Sequence, residues 1–236
     1  SEMCIRDRAY MHKYGLMRDD LSLVSESTHR AAVKNPFAQF RKDIPASVIS
    51  KSPLVADPLR LLDCSPISDG AAAVILSTKK DGPVRIAASQ VATEPLSLAD
   101  RASLTSFSST RTAFSKALAE ADWHKQDIDC MEIHDCFSIA TLIHLEDFGF
   151  AEEGKAIRIF KQGDADIDGT LPINMSGGLK ACGHPIGATG VKQVLDCFKQ
   201  LTGTATNQVP KATRAMAHNL GGVGATCTVH LLESLA

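Results

Sequence analysis

The 236-residue chain has the composition of a soluble globular protein, with 44% hydrophobic residues, 22% charged residues and a formal net charge of −2. This balance gives no basic field for nucleic acid or an anionic membrane, and no apolar run approaches the about 18–20 residues of a transmembrane helix. None of the seven cysteines forms a CxxC pair. We therefore expect reduced thiols and a cytoplasmic location.

The N-terminal residues 1–8, SEMCIRDR, are unusual because they lack an initiating methionine and match no signal peptide. They resemble the translated adapter sequence found at the broken ends of some metagenomic gene models. We therefore expect residues 1–8 to be a non-native tip that takes no part in the natural fold. We also expect the natural protein to begin upstream of this sequence.

Residues 9–40 have helical spacing and predict two helices. The first presents Tyr10 and Tyr14 on one face and ends at Gly15. The second begins at an aspartate cap, supplied by one of the two aspartates at 19–20, and stops at the Asn-Pro pair that follows Lys34.

The next stretch is irregular up to an apolar run. Prolines interrupt residues 37–60, whereas residues 71–76, AAAVIL, form a short continuous apolar segment typical of a strand that is buried on both faces. The turn Asp81-Gly82-Pro83 then predicts a domain boundary.

The remainder of the chain alternates between strand and helix patterns. Strands are predicted at 84–92, 129–133, 170–174, 214–218 and 225–232. Helices are predicted at 109–121, at 136–148 and from 191 onward. This order predicts an α/β layered domain in which a mixed five-stranded sheet carries helices on both faces.

In such a sheet, functional groups gather in loops beyond the strand ends. Three loops follow predicted strands, and each offers a thiol, an imidazole or an amide: HDCF at 134–137, MSGGLKACGHPIGATG at 175–190 and HNLGG at 218–222. The glycine density of the second loop indicates backbone that turns tightly or approaches another group closely.

Two chemical hypotheses compete for these loops. One is a zinc site of His134, Cys136, Cys182 and His184, although a single residue separates the members of each pair, fewer than the two to four usual in zinc motifs. The other is thiol acid/base and oxyanion chemistry. In this second hypothesis a helix N-terminus favours a Cys136 thiolate, and the two histidines donate hydrogen bonds to developing charge or take a proton. We favour the second hypothesis and expect no metal.

Five motifs in order resemble those of the thiolase family. The segment at 175–190 is similar to the family's histidine loop, and HDCF is similar to the second loop of its sterol-carrier-protein-type and archaeal-type members. The other matches are SDGAAAVIL at 68–76, HNLGGVGA at 218–225, and YMHKYG at 10–15 with HRAAVKNPFAQFRK at 29–42. The resemblance extends over residues 9–236. One motif alone is weak, whereas five in the family's order are highly specific.

The resemblance implies a division of the chain into two parts. Residues 9–82 would be a loop-domain remnant followed by the last strand of a truncated N-terminal thiolase domain. Residues 83–236 would be the C-terminal thiolase domain. On this basis the chain is expected to carry the C-terminal part of a thiolase.

The resemblance also implies two-step acyl transfer on coenzyme A thioesters, as in an acetyl-CoA acetyltransferase, by Claisen condensation or by thiolysis of a 3-ketoacyl-CoA in lipid and fatty acid metabolism. His184 resembles the histidine that activates the nucleophile, His134 the residue that forms an oxyanion hole through a water, and Cys136 the acid/base cysteine. The substrate-lining positions would be Gly183, His218, Asn219 and Gly221. The coenzyme A thioester is a substrate here, and no separate cofactor is implied.

The chain departs from the family at the nucleophile. Thiolases place their nucleophilic cysteine ahead of the loop domain, in a Cys-x-(Ser/Ala/Gly)-Gly turn, and no segment here matches. Cys4 lies in the suspect tip, and Cys64 falls where the family has a strand. We therefore expect the chain by itself to be inactive.

Two alternatives stay open. One is a thiolase-fold retro-aldolase, a lyase that acts on acyl-CoA side chains without a nucleophilic cysteine. The other is a non-catalytic thiolase-like subunit, but a scaffold needs neither Cys136 nor His184. The resemblance further implies a homodimer or a dimer of dimers at full length, and an OB-fold, zinc-bearing acyl-CoA-binding protein as a partner.

Overall fold

The computed structural model describes residues 3–79 and 82–235, so Ser1 and Glu2 of the predicted tip and Asp81 of the predicted turn lie outside the described residues. The two predicted helices are confirmed as α1 (Met3–Tyr14) and α2 (Leu21–Ala32). Helix α1 begins inside the tip, where Arg6 is buried and donates from Nη1 to Leu104 O at 2.7 Å. The non-native origin of the tip stays a prediction.

The N-terminus of α2 differs from its prediction. A 3₁₀ turn over Arg18–Asp20 leads directly into α2, so Asp20 has helical backbone angles (φ −61°, ψ −33°) and its side chain makes no cap. The Asp20 carboxylate pairs instead with Lys161 Nζ at 2.6 Å. The predicted aspartate cap is wrong because a capping residue must have extended backbone to return its side chain to the first N–H groups.

Irregular structure is predicted for residues 37–60, and the structure shows it over most of residues 37–79. They contain a short helix α3 (Ala46–Ile49) and a hairpin of β1 (Leu54–Ala56) and β2 (Leu59–Arg60). The strand predicted at 71–76 is wrong. A strand needs a hydrogen-bonding neighbour, and no segment in the described ranges pairs with this run.

A four-stranded sheet forms the centre of the remaining chain, in the order β3 (Val84–Thr93), β6 (Thr226–Ser234), β5 (Arg214–Gly221) and β4 (Cys130–Glu132). Strand β4 runs parallel to β5 and the other pairs are antiparallel, so the sheet is mixed, as predicted. The predicted count of five is wrong for the described residues. The segment at 170–174 contributes a single bridge, from Ile173 to Met131, before Asn174 takes a left-handed φ of +55° that leads the chain away.

Helices cover both faces of this sheet, which confirms the predicted α/β layering. Helices α4 (Ser108–Ala121) and α5 (Ser138–Asp147) pack on one face, and α8 (Thr189–Leu201) packs on the other. Strand β5 serves both cores because neighbouring side chains point to opposite faces. Met216 lies in the core under α4 and α5, whereas Ala215 and Ala217 lie in the core under α8.

Two further helices are short, α6 (Ile157–Lys161) and α7 (Gly178–Cys182). Helix α7 is not predicted from the sequence, and it forms inside the glycine-rich segment 175–190. It packs on α2 through Ala181 and Ala32. Within the described part of the chain, no helix has both the length and the apolar character needed to cross a membrane.

Candidate active site

The structure brings the HDCF loop and the glycine-rich loop together at one end of the sheet. His134 lies two residues beyond the end of β4, and His184 lies two residues beyond the end of α7. Their rings meet edge to face, with centroids 5.0 Å apart and an interplanar angle of 86°. The sequence motifs predict that these two histidines act together, and the structure places them in contact.

A buried ion pair fastens the two loops to each other. Lys180 Nζ lies 3.1 Å from Asp135 Oδ2, and the two side chains are 1% and 0% exposed. Asp135 Oδ1 also accepts a hydrogen bond from Leu179 N at 2.6 Å, and Lys180 donates to Asp135 O at 3.3 Å. One carboxylate thus satisfies a main-chain donor of α7 and the ammonium group of the same helix. The relative position of the two histidines depends on this pair.

Two glycines make this close approach possible. Gly178 has a left-handed φ of +57°, and a Cβ there would lie 2.4 Å from Asp135 Oδ2. Gly183 has φ +111°, and a Cβ there would lie 2.8 Å from Ser68 Oγ. Gly183 is predicted to line the substrate site, and that role stays a prediction because the cavity of about 270 Å³ that it lines is bordered by neither His134 nor His184. Its N–H is already donated to Leu179 O at 3.1 Å.

His184 is held at both its backbone and its ring. Its N–H donates to Ser68 Oγ at 2.9 Å, and its Nδ1 lies 2.8 Å from Thr189 Oγ1. The side chain is partly buried. Burial lowers the pKa of His184, while the Asp135 carboxylate acts in the opposite direction. The imidazole is therefore neutral at neutral pH and able to accept a proton.

His134 is more deeply buried. Burial, and after it the neighbouring His184, lowers the pKa of His134 to about 3, so this ring is neutral at neutral pH. The main-chain N–H of His134 donates to His218 Nδ1 at 3.3 Å. His134 Nδ1 is buried and has no hydrogen-bond partner among the described residues.

Cys136 differs from its prediction. Burial, and after it the Asp135 carboxylate, raises the pKa of the Cys136 thiol to about 12. Helix α5 begins only at Ser138, and burial and the Asp135 charge outweigh the Lys180 ammonium group and the backbone hydrogen bond, which both favour the anion. The predicted tendency to form a thiolate is therefore wrong. The Cys136 carbonyl accepts from Ser65 N at 2.9 Å, which ties this loop to residues 64–65.

The HNLGG segment, predicted as a loop, instead forms the end of strand β5 and packs behind the two histidines. His218 is fully buried and accepts the N–H of His134, so its side chain is not open to a substrate. Asn219 Nδ2 donates to Gln193 Oε1 at 2.7 Å, and Gln193 Nε2 donates to His218 O at 2.8 Å. Gly221 lies exposed at the end of β5 with no atom within reach of a Cβ. We replace the predicted substrate-lining role of His218 with a supporting one.

The zinc hypothesis does not match the geometry. No group of three or more histidine, cysteine or acidic side chains is gathered for a metal ion in the described ranges 3–79 and 82–235. Cys182 is buried, and its Sγ accepts a hydrogen bond from Asn35 Nδ2 at 3.6 Å. The four proposed ligands therefore do not form one cage.

Four residues that build the site are not predicted from the sequence: Asp135, Lys180, Thr189 and Gln193. The sequence could have indicated Lys180 as a site residue, because it is a lone charge among small and apolar residues between two glycine turns. The other three side chains are ordinary polar residues, and only their partners across the fold identify them.

Comparisons with known proteins agree with the motifs. Residues 90–234 match the family described as thiolase C-terminal domain-like. The chain is 46% identical over 233 residues to an acetyl-CoA acetyltransferase of Methanothermobacter thermautotrophicus, with 96% of this chain and 61% of that protein covered. It is 36% identical over 230 residues to sterol carrier protein 2 of Oryctolagus cuniculus, covering 92% of this chain and 42% of that protein.

A solved structure gives the same fold. The Ltp2-ChsH2(DUF35) aldolase superposes with a TM-score of 0.86 at 22% identity, covering 98% of this chain and 62% of that one. At this identity the likeness concerns the fold alone. The chain spans 61% of the length of its methanogen relative and less of the rabbit protein.

Proposed function

Because this chain belongs to the thiolase family, we propose that it supplies the acid/base side of an active site that transfers acyl groups between coenzyme A thioesters. The observation that carries the proposal is the contact between the rings of His134 and His184, 5.0 Å apart, with Cys136 two residues beyond His134. The Asp135–Lys180 pair holds all three side chains on two fastened loops.

The proposed reaction has two steps. A cysteine thiolate attacks the thioester of one acyl-CoA, so that an acyl–sulfur bond to the enzyme forms and coenzyme A leaves. The α-carbon of a second acyl-CoA then loses a proton and attacks the acyl group, which forms a carbon–carbon bond and releases the enzyme's sulfur. Thiolysis of a 3-ketoacyl-CoA is the same sequence reversed.

The protonation states support these roles. Neutral His184 can take the proton of the nucleophilic thiol and thereby activate it. Neutral His134 has an unpartnered Nδ1 that suits a hydrogen bond through water to the thioester oxygen. Cys136, with its pKa raised to about 12, keeps its proton at neutral pH and can donate it to a carbanion during thiolysis. In the condensation direction Cys136 first gives this proton to the coenzyme A thiolate that leaves in the first step, and the Cys136 thiolate so formed then takes the α-proton.

We infer that the nucleophilic cysteine comes from outside these 236 residues. Cys64 is a poor substitute because burial, and after it the Asp63 carboxylate, raises its pKa to about 11, and its Sγ donates to Arg60 O. We therefore expect the isolated chain to show no thiolysis of acetoacetyl-CoA. Turnover that disappears on Cys64→Ala would contradict this.

The positive test joins the chain to the N-terminal part of the Methanothermobacter relative, which supplies the missing portion of the fold. We expect thiolysis of acetoacetyl-CoA to appear, and His184→Ala to lower kcat/KM by at least about 100-fold, the usual contribution of a general base. His12→Ala is the matched control because His12 is an exposed residue of α1. Full activity in His184→Ala would exclude the proposed role.

The same fusion separates the alternatives. A retro-aldolase would cleave a hydroxylated acyl-CoA side chain to a carbonyl product without consuming free coenzyme A, whereas a thiolase needs coenzyme A as the second substrate. A non-catalytic subunit would do neither. The homodimer, the cytoplasmic location and an OB-fold acyl-CoA-binding partner stay proposals of the same kind, to be tested by sedimentation, fractionation and co-purification.

A further inference from the structure

Thr189 is the first residue of α8, and its hydroxyl touches the ring of His184. We propose that Thr189 is a positioning residue that fixes the neutral tautomer of His184, with the proton on Nδ1 and with Nε2 free to accept a proton. This inference rests on the proposed function in one respect: it identifies Nε2 as the atom through which His184, as the proposed base, accepts a proton.

The hydrogen bonds of Thr189 carry the proposal. Its side chain belongs to a residue that is 1% exposed, and Oγ1 lies 2.8 Å from His184 Nδ1 and 3.0 Å from Pro185 O. A carbonyl oxygen can only accept, whereas a hydroxyl has one proton to donate and lone pairs to accept with. When Thr189 donates to Pro185 O, the bond to Nδ1 requires that Nδ1 carry the proton.

The opposite tautomer makes fewer hydrogen bonds. With the proton on Nε2, Thr189 would have to donate to Nδ1 and abandon Pro185 O, so one hydrogen bond would replace two. Pro185 O also accepts the N–H groups of Ala188 at 2.8 Å and Thr189 at 3.0 Å, so it would not be left without donors. The difference between the tautomers is therefore about one ordinary hydrogen bond in a buried place.

The free edge of the ring agrees with this assignment. His184 Nε2 makes no hydrogen bond to any residue in the described ranges, and the neighbouring ring of His134 is neutral because its pKa is lowered to about 3. The main-chain N–H of His184 is held by Ser68 Oγ. The ring is thus oriented through Nδ1, and Nε2 is the nitrogen left for chemistry.

Nitrogen NMR tests the tautomer without any need for turnover. The 236-residue chain is labelled with ¹⁵N-histidine. Long-range ¹H–¹⁵N correlations are recorded at about pH 8, where a histidine ring with a lowered pKa is neutral. The signals of His184 are identified among those of the eight histidines because they are lost in His184→Gln. We expect a protonated Nδ1 and an unprotonated Nε2. We expect Thr189→Val to move the tautomer ratio roughly fivefold toward Nε2–H and Thr189→Ser to restore the native ratio.

Thr202→Val is the matched control. Thr202 lies directly after α8, and its Oγ1 makes the same bond to the carbonyl four residues earlier, Phe198 O, at 3.0 Å, without touching a histidine. It should leave the His184 signals unchanged. A wild-type ring protonated on Nε2, or a ratio unmoved in folded Thr189→Val, would overturn the proposal. If Thr189→Val does not fold, the wild-type spectrum by itself shows which nitrogen of His184 carries the proton and so decides the proposal. An inactive fusion enzyme would instead count against the proposed function and leave this tautomer assignment intact.

Discussion

Two regions of this chain invert the usual relation between polarity and burial. The site loops at residues 134–137 and 175–190 carry one carboxylate and one ammonium group, Asp135 and Lys180, yet both side chains are almost fully buried. The segment at 71–76 is entirely apolar, yet Ile75 is 97% and Leu76 is 72% exposed. Burial in this protein depends on whether a segment packs against a neighbouring segment. An ion pair can be buried when each charge has a partner, and an apolar run is exposed when no other segment covers it.

The largest expected effect comes from breaking the buried pair. Lys180→Met leaves the Asp135 carboxylate buried beside a single main-chain donor, so we expect a loss of about 3–5 kcal/mol in the free energy of unfolding, measured by urea titration. Lys13→Met is the control, because Lys13 pairs with Glu153 at the surface and should cost less than about 1 kcal/mol. Equal losses in the two variants would show that Asp135–Lys180 behaves as a surface pair.

An isoleucine-to-alanine substitution in each of the two regions compares a buried apolar side chain with an exposed one. Ile133→Ala removes a fully buried side chain next to His134, and we expect it to cost about 2–5 kcal/mol in the free energy of unfolding. Ile75→Ala removes an exposed side chain and should change stability by no more than about 0.5 kcal/mol. A large loss in Ile75→Ala would mean that residues 71–76 are covered in the protein in solution.

The dependence of the free energy of unfolding on pH tests whether the His134 ring is buried. The pKa of His134 is lowered to about 3 in the folded chain from about 6.5 when unfolded. Between these values the unfolded state binds more protons, so stability is complete above about pH 6.5 and falls as pH falls toward 3. From pH 6.5 to 4 this one group should cost about 3 kcal/mol.

The measurement for this prediction is the difference in unfolding free energy between wild type and His134→Gln at several pH values. We expect this difference to narrow or reverse as the pH falls, because the variant has lost the titrating group. His12→Gln is the exposed counterpart and should run parallel to wild type. A constant difference for His134→Gln would indicate that the His134 ring is solvated.

Much of the local structure was predictable from the residues alone. The helices α1, α2, α4, α5 and α8 and the strands β3 to β6 follow from periodicity, which depends only on neighbours within a turn or two along the chain. The motif order also grouped His134 and His184 before any contact was known. The missed helix α7 is short and lies in a glycine-rich segment, where intrinsic propensity opposes helix formation and tertiary packing on α2 decides.

The sequence by itself determined the family, the α/β alternation and the residue types proposed for the chemistry, because these depend on spacing and side-chain identity. Only the tertiary structure decided what those side chains are able to do. Asp135 raises the pKa of Cys136 from the next position along the chain, yet Asp135 is held there by Lys180, forty-five positions away. Desolvation and Coulomb interaction act through space, so a thiol expected to ionise at a helix N-terminus stays protonated. An apolar run expected to be a buried strand stays exposed because no segment among the described residues pairs with it.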